Sequence, residues 1–141
     1  MSDIEDEVDS ILKQMGLFES SKLSKQIAQE FVAKAMLIFV KGNPRVWWLS
    51  LKNSVKRYPC KKNCLEYLPE RVATYTETVY YIPETESSEP MPVYELNHEQ
   101  LFELVEECSF FEYYVLDTEF KKLLIETEHG QFVETQAIIL D

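Results

Sequence analysis

The sequence is short of glycine, cysteine and histidine. Its 141 residues include three glycines, three cysteines and two histidines. So few glycines exclude a glycine-rich phosphate loop and disfavour an all-β fold with many tight turns. Three cysteines give no disulfide framework and fit a reducing compartment, so we expect a cytoplasmic protein. With two histidines, no Gly-x-Ser-x-Gly motif and no phosphate loop, a hydrolase or kinase is hard to build. We therefore expect no enzymatic activity and no cofactor.

Long apolar runs are also missing. The longest covers residues 35–40, whereas a membrane-spanning helix needs about 20 apolar residues. The acidic start of the chain lacks the basic and apolar regions of a signal peptide. Hydrophobic residues make up 45% of the chain, enough for one ordinary core. We expect a single α+β domain over residues 1–141 and no membrane partner.

The charges are segregated along the chain, whose net charge is −11. Residues 41–62 contain no acid but hold half of the basic residues, and we call them the basic block. The bases are Lys41, Arg45, Lys52, Lys56, Arg57, Lys61 and Lys62. The block could bind nucleic acid, pack against the acidic C-terminal half of the same chain, or contact a protein partner.

Nucleic acid is the least favoured of these partners, because the acidic remainder of the chain repels phosphates. Acidic surfaces suit basic proteins, and tryptophan and arginine are common anchors in protein interfaces. We therefore predict binding through Arg45, Trp47 and Trp48. The oligomeric state stays open.

Apolar spacing predicts four helices. The first covers residues 3–16 and the second covers residues 20–39, capped by Ser20 or Ser21. In the second, Ile27 belongs to the predicted apolar stripe. A third helix is favoured over residues 45–57, although valine and tryptophan also suit a strand there. Asn97 is predicted to cap a fourth helix that reaches Cys108, with its acidic residues on the solvated side.

Period-two patterns predict about five strands. Residues 78–82 and 92–96 should pair as a hairpin, and residues 111–116, 120–127 and 131–136 should follow. The predicted fold is α+β: N-terminal helices packed on an antiparallel sheet of about five strands, with one further helix before the last three strands. Alternation places Tyr113 and Tyr114 on opposite faces of a central strand, and the default role of both is core packing.

Two cysteines, Cys60 and Cys64, have a spacing found in zinc sites. The other ligands of such a site are missing, since Cys108 and the histidines stand far along the chain. The simplest interpretation of Cys60 and Cys64 is therefore two free thiols in an irregular segment, and any metal or redox role stays open. Cys108 is interpreted as a core residue.

One histidine has carboxylate neighbours, which is typical of a general base or a ligand. His129 lies close to Glu126, at a predicted turn. The simplest interpretation of this histidine is a solvated turn residue. The alternative is a small enzyme or ligand-binding domain that uses His129 and Glu126 near a tyrosine-lined pocket, with Tyr113 and Tyr114 as candidate binding residues.

Two segments resemble a family of small, uncharacterised bacterial cytosolic domains. They are Phe110-Phe111-Glu112-Tyr113-Tyr114-Val115-Leu116-Asp117 and Leu123-Leu124-Ile125-Glu126-Thr127-Glu128-His129. Trp47-Trp48-x-Ser50-Leu51-Lys52 is similar to the earlier tryptophan-rich motif of that family. Where the family has another tryptophan and another histidine, this chain has Lys122 and Gly130, so no histidine-based role is implied. The resemblance implies no activity.

Size, acidity and element order are also similar in type to immunity proteins of bacterial toxin systems, such as the SUKH group. Three hypotheses follow. The first is a non-enzymatic acidic domain that binds a basic protein, in the manner of an immunity protein that neutralises a basic toxin domain. The second is the enzyme or ligand binder with His129 and Glu126. The third is a nucleic-acid adaptor that uses the basic block.

Overall fold

The protein is a layered α+β domain in a computed structural model, which describes residues 3–42, 50–60, 64–85, 90–109, 111–127 and 130–137. The helices are α1 (Asp3–Gln14), α2 (Phe18–Ser21), α3 (Lys25–Phe39), α4 (Leu68–Arg71) and α5 (His98–Glu107), with a 3₁₀ turn at Cys64–Tyr67. The strands are β1 (Val55–Pro59), β2 (Thr78–Pro83), β3 (Tyr94–Asn97), β4 (Tyr113–Asp117), β5 (Lys122–Thr127) and β6 (Gln131–Gln136). None of the helices in the described residues is long and apolar enough to cross a membrane.

The six described strands form one antiparallel sheet, in the order β1-β6-β5-β4-β2-β3. This confirms the predicted fold class, with six strands in place of about five. The predicted hairpin is present as β2 and β3, and β4 lies inside the sheet with all of its residues buried.

Both faces of the sheet are covered, which explains the unbroken apolar pattern of β4. Tyr113 and Val115 join a core closed by α1, α4 and α5. Tyr114 and Leu116 join a second core, against α3. The predicted alternation along this strand is therefore confirmed, because successive residues of a strand point to opposite faces.

A side chain caps the first turn of α5 and of α3. Asn97 accepts from the backbone N–H of Gln100, which confirms the cap predicted for the start of α5. The structure adds a second bond, in which the Gln100 side chain accepts from the N–H of Asn97. The prediction for α3 is wrong at its start, where Ser24 supplies the cap and neither Ser20 nor Ser21 does. Ile27 also leaves the predicted stripe, since it is 41% exposed.

The helix predicted over residues 45–57 is wrong at its end, while its start lies outside the described residues. Val55–Pro59 is strand β1, which pairs with β6 and adds the sixth strand. This pairing joins residues more than 70 positions apart, so helical spacing within the segment could not reveal it. Pro59 is tolerated because β1 is an edge strand, where a missing N–H costs little.

Cys60 and Cys64 form a disulfide, so their interpretation as free thiols is wrong. The chain leaves β1 at Pro59 and enters the 3₁₀ turn at Cys64, which brings the two Cα atoms to 5.2 Å. This separation is within the usual range for a disulfide. Cys108 keeps a free thiol.

Candidate functional site

A cavity of about 270 Å³ opens between the end of α5 and the face of the sheet. It lies where β4 begins and β5 ends, next to the 3₁₀ turn. The described residues that line it are Leu65, Tyr81, Val105, Glu106, Cys108, Ser109, Phe111, Tyr113 and Glu126. A carboxylate, two phenols and a thiol of the described residues meet in this cavity, so we take it as the candidate site.

The floor of the cavity holds a buried tyrosine–glutamate pair. Tyr113 and Glu126 are direct partners across β4 and β5, and the Tyr113 hydroxyl donates to Glu126 Oε1 at 2.7 Å. Glu126 is only 7% exposed. Burial raises the pKa of its carboxyl, and the hydrogen bond from Tyr113 opposes that rise. Glu126 therefore keeps one carboxylate oxygen that Tyr113 does not use.

A second phenol faces the same space. Tyr81 is 1% exposed, and its ring lies 5.2 Å from that of Tyr113. Within the described residues its hydroxyl makes no hydrogen bond. Burial, with the nearby Cys108 and Glu126, raises the pKa of Tyr81, so this phenol stays neutral. A neutral hydroxyl can donate one hydrogen bond and accept others.

The thiol of Cys108 is also neutral. Burial raises its pKa to about 12, and the carboxylates of Glu7 and Glu107 add to the rise. A thiol is nucleophilic as the thiolate, so this cysteine is poorly suited to attack a substrate at neutral pH. Cys108 contributes polarizable surface to the cavity wall.

Acidic residues lie at the edge of the cavity and beside it. Glu106 and Glu107 occupy the last turn of α5, and both are exposed. Glu7 of α1 accepts from the backbone N–H of Ser109 at 2.6 Å and from its hydroxyl at 2.8 Å. These bonds hold α1 against the end of α5 and bring a third carboxylate to the same side.

Charge and chemistry indicate what the cavity can receive. Among its described lining residues there is no lysine, arginine or histidine, whereas Glu106 and Glu126 are carboxylates. Such a lining favours a cation or a hydrogen-bond donor and disfavours an anion. In the described part of the chain, no three His, Cys, Asp or Glu residues are grouped as a metal site requires.

The structure brings together part of the predicted site. Tyr113 and Glu126 meet in the cavity, as the tyrosine-lined pocket of the second hypothesis requires. Tyr114 does not, because it faces the opposite core and its hydroxyl donates to Glu84. The remaining predicted residues, Arg45, Trp47, Trp48 and His129, lie outside the described residues.

Three lining residues went unrecognised in the sequence. Tyr81 looked like an ordinary strand residue, Cys108 like core and Glu106 like the solvated side of a helix. Their meeting depends on β2 pairing with β4 and on the packing of α5 over the sheet. A local signal existed for Glu106 alone, since a carboxylate in the last turn of a helix opposes the helix dipole.

Part of the basic block forms the edge of the sheet. Lys56 and Arg57 of β1 are exposed and make no ion pair with a described residue. Lys52 donates to the backbone carbonyl of Leu37 at 2.5 Å. Charged residues on an edge strand discourage pairing with other chains, which gives these bases a structural role.

Fold and site together define a small α+β domain with a carboxylate-lined cavity beside its central antiparallel sheet. The chain belongs to a family of unknown function, DUF6756, whose model matches residues 4–141. The resemblance to an uncharacterised domain family is confirmed at that level. No curated protein and no solved structure matches the chain.

Proposed function

We propose that this chain is a non-enzymatic domain that binds a basic protein. The binding surface would be the acidic rim, which we define as Glu7, Glu106 and Glu107 at the junction of α1 and α5. In its finer form, the proposal is an immunity-type role in which this surface covers a basic toxin domain. Bacterial origin, cytoplasmic location and similarity to the SUKH group belong to this finer form.

The observation that carries the proposal is the position of Glu106 and Glu107. Both stand in the last turn of α5, which has no basic residue to balance them. Carboxylates at a helix C-terminus oppose the helix dipole, at a cost of about 0.3–1 kcal/mol each. Stability of the free protein does not explain this placement, whereas attraction of a basic partner does.

The anchors predicted from the sequence complete the proposal. Arg45, Trp47 and Trp48 stay the predicted anchors, since arginine and tryptophan often carry the binding energy of protein interfaces. Charge complementarity would act mainly on the association rate. That rate would therefore fall as salt screens the charges.

Peptide binding tests the proposal. Three synthetic peptides of equal length, rich in lysine, serine or glutamate, would be titrated at about 20 mM and about 300 mM salt. We expect the lysine-rich peptide alone to bind, more weakly at the higher salt. Equal binding of all three peptides, or none by the lysine-rich one, would overturn the proposal.

A charge-matched pair of variants localises the effect. Glu106→Gln with Glu107→Gln removes two charges from the acidic rim. Glu30→Gln with Glu119→Gln removes two charges from α3 and from the β4–β5 turn, away from that rim. The first pair should weaken binding of the lysine-rich peptide and the second should not. Equal losses would mean that only the total charge matters.

A second candidate function is a small-molecule binder or enzyme at the cavity. The observation that favours it is the meeting of Glu126 with two tyrosines, Tyr81 and Tyr113. Catalysis at this cavity would need a proton acceptor whose pKa lies near neutral pH. The pKa of Glu126 is raised, which is the direction that a general base requires. Turnover lost in Glu126→Gln, with basic-peptide binding absent, would favour this candidate over the first.

A further inference from the structure

We propose that the cavity beside Tyr81 and Glu126 receives the protonated amine of a lysine side chain from the basic partner. This inference rests on the proposed function and names the group that the partner would insert. Some polar atoms of this cavity have no hydrogen-bond partner among the described residues.

Two such acceptors lie in the cavity. The Tyr81 hydroxyl has no hydrogen bond to any described residue although the side chain is 99% buried. Glu126 has one oxygen bonded to Tyr113 and a second oxygen that Tyr113 leaves open. Neither atom is among the described buried atoms that lack a partner, and both residues line the cavity, so a donor that enters the cavity can reach both acceptors.

The charge of that donor follows from the lining. Glu126 on the floor and Glu106 on the rim are acidic, and no base among the described lining residues balances them. A cation beside Glu126 would restore part of the stabilisation that its carboxylate lost on burial. A neutral donor would satisfy the hydroxyl of Tyr81 and leave the carboxylate uncompensated.

An ammonium group fits better than a guanidinium. Arginine prefers both oxygens of one carboxylate, and Tyr113 already occupies one oxygen of Glu126. An ammonium is a compact charge whose donors can reach separate acceptors, here Glu126 and Tyr81.

Size and apolar surface fit the rest of a lysine side chain. A volume of about 270 Å³ is below the range of about 300–1,000 Å³ for drug-sized ligands, so it suits one side chain. Leu65, Val105 and Phe111 line the walls, where the methylene stem of a lysine can pack while its charged end reaches the floor.

The test uses capped amino acids as probes, followed through the backbone amide signals of Cys108, Tyr113 and Glu126 in NMR spectra. Nα-acetyl-lysine methylamide should shift these signals in a saturable way. The norleucine analogue, which keeps the stem and lacks the charge, should bind about tenfold more weakly or worse, because it forms no charged hydrogen bond. The arginine analogue should also bind more weakly than lysine. Equal shifts by lysine and norleucine would overturn the proposal.

Variants assign the binding to the two acceptors. Glu126→Gln keeps an acceptor for Tyr113 and removes the charge, so it should weaken lysine binding about tenfold. Tyr81→Phe removes one hydroxyl and should weaken it several-fold. The matched controls are Glu134→Gln, whose carboxylate is bonded to Tyr75 outside this cavity, and Tyr80→Phe. Lysine binding that neither cavity variant weakens would overturn the assignment.

The outcomes separate this proposal from the proposed function. If the lysine-rich peptide binds wild type and Glu126→Gln equally, the basic-partner function stands and the lysine pocket is wrong. If the capped lysine binds at the cavity while no lysine-rich peptide binds, the site takes free amines and the protein-binding function is wrong. If both bind and Glu126→Gln weakens both, both proposals are supported.

Discussion

The hydroxyl of Tyr113 donates to the carboxyl of Glu126 across the centre of the sheet, at 2.7 Å. The two residues are direct partners on β4 and β5, and both are buried. Sheet pairing thus places a titratable group inside the fold together with its own donor. The protonation of Glu126 therefore couples the candidate site to the stability of the domain.

The first prediction concerns pH. Burial makes the folded-state pKa of Glu126 higher than its ordinary value of 4.5. The difference between the folded-state and unfolded-state pKa of Glu126 contributes to the free energy of unfolding. This contribution is complete below the unfolded-state pKa and is lost as pH rises through the folded-state pKa. Gln in place of Glu126 cannot ionise, so Glu126→Gln should gain stability relative to wild type as pH rises from about 4 to about 8. Denaturant unfolding of both proteins across that range measures the difference.

A control for this pH effect is Glu134→Gln. Glu134 also accepts from a tyrosine, Tyr75, but it is less buried than Glu126 and lies outside the cavity. This variant measures how far the loss of a carboxyl that accepts from a tyrosine outside the cavity changes the pH profile, and that change is subtracted from the change in Glu126→Gln. A constant stability difference between wild type and Glu126→Gln at every pH would contradict the prediction.

The second prediction concerns the donor of the pair. Tyr113→Phe leaves the Glu126 carboxyl without its hydroxyl partner and should lower the free energy of unfolding by about 1–3 kcal/mol. It should also raise the pKa of Glu126 further, because the hydrogen bond from Tyr113 is what lowers it. Chemical denaturation measures the first effect, and NMR titration of the side-chain carboxyl measures the second.

The matched control is Tyr80→Phe. The hydroxyl of Tyr80 makes no hydrogen bond among the described residues, and the ring is half-buried in the core against α3. This variant should change stability by less than Tyr113→Phe and should leave the pKa of Glu126 where it is. Equal effects of the two variants would contradict the importance of the Tyr113 bond.

Local chemistry predicted the elements whose signals lie within a few residues. Asn97 and Gln100 are three positions apart, and their mutual capping could be anticipated from that spacing. The opposite faces of Tyr113 and Tyr114 follow from strand geometry alone. The hairpin of β2 and β3 and the central position of β4 were predictable because their signals, too, lie within a short stretch of sequence.

Pairing between distant strands determines strand β1 and part of the candidate site, and local sequence patterns do not predict such pairing. Val55 could start a strand or end a helix, and only its pairing opposite Thr135 on β6 decides between them. Tyr81 joins the candidate site because β2 lies beside β4, which no spacing within β2 reveals. Glu126 was recognised for its nearness to His129, but in the structure its described partner is Tyr113.

The third prediction concerns the start of α5. Asn97→Ala removes the side chain that accepts from the N–H of Gln100, and it should lower the free energy of unfolding by about 1 kcal/mol. Asn97→Gly should lower the free energy of unfolding by only a few tenths of a kcal/mol relative to wild type. Urea denaturation of the two variants measures the difference. Equal stability of Asn97→Ala and wild type would show that the capping box contributes nothing.

The fourth prediction concerns the nucleic-acid hypothesis. Lys56 and Arg57 are exposed on the edge strand, yet a net charge of −11 repels phosphates from the molecule as a whole. Fluorescence anisotropy with labelled single-stranded DNA should therefore show no binding even at about 20 mM salt. Binding by wild type that Lys56→Gln with Arg57→Gln abolishes would revive the adaptor hypothesis.

The fifth prediction concerns the disulfide between Cys60 and Cys64. Protein purified without reductant and then unfolded should expose one reactive thiol, that of Cys108, whereas reduced protein should expose three. Reduction should lower the free energy of unfolding by about 2 kcal/mol, because the bond closes only a short loop and removes little entropy from the unfolded chain.

Two variants check the assignment of this disulfide. Cys108→Ser should abolish the single thiol of the oxidised protein and leave the stability change on reduction in place. Cys60→Ser with Cys64→Ser should make stability insensitive to reductant. Three reactive thiols in unfolded, unreduced protein would contradict the disulfide. That result would instead fit the reducing compartment that three cysteines suggested from the sequence, because such compartments keep thiols free.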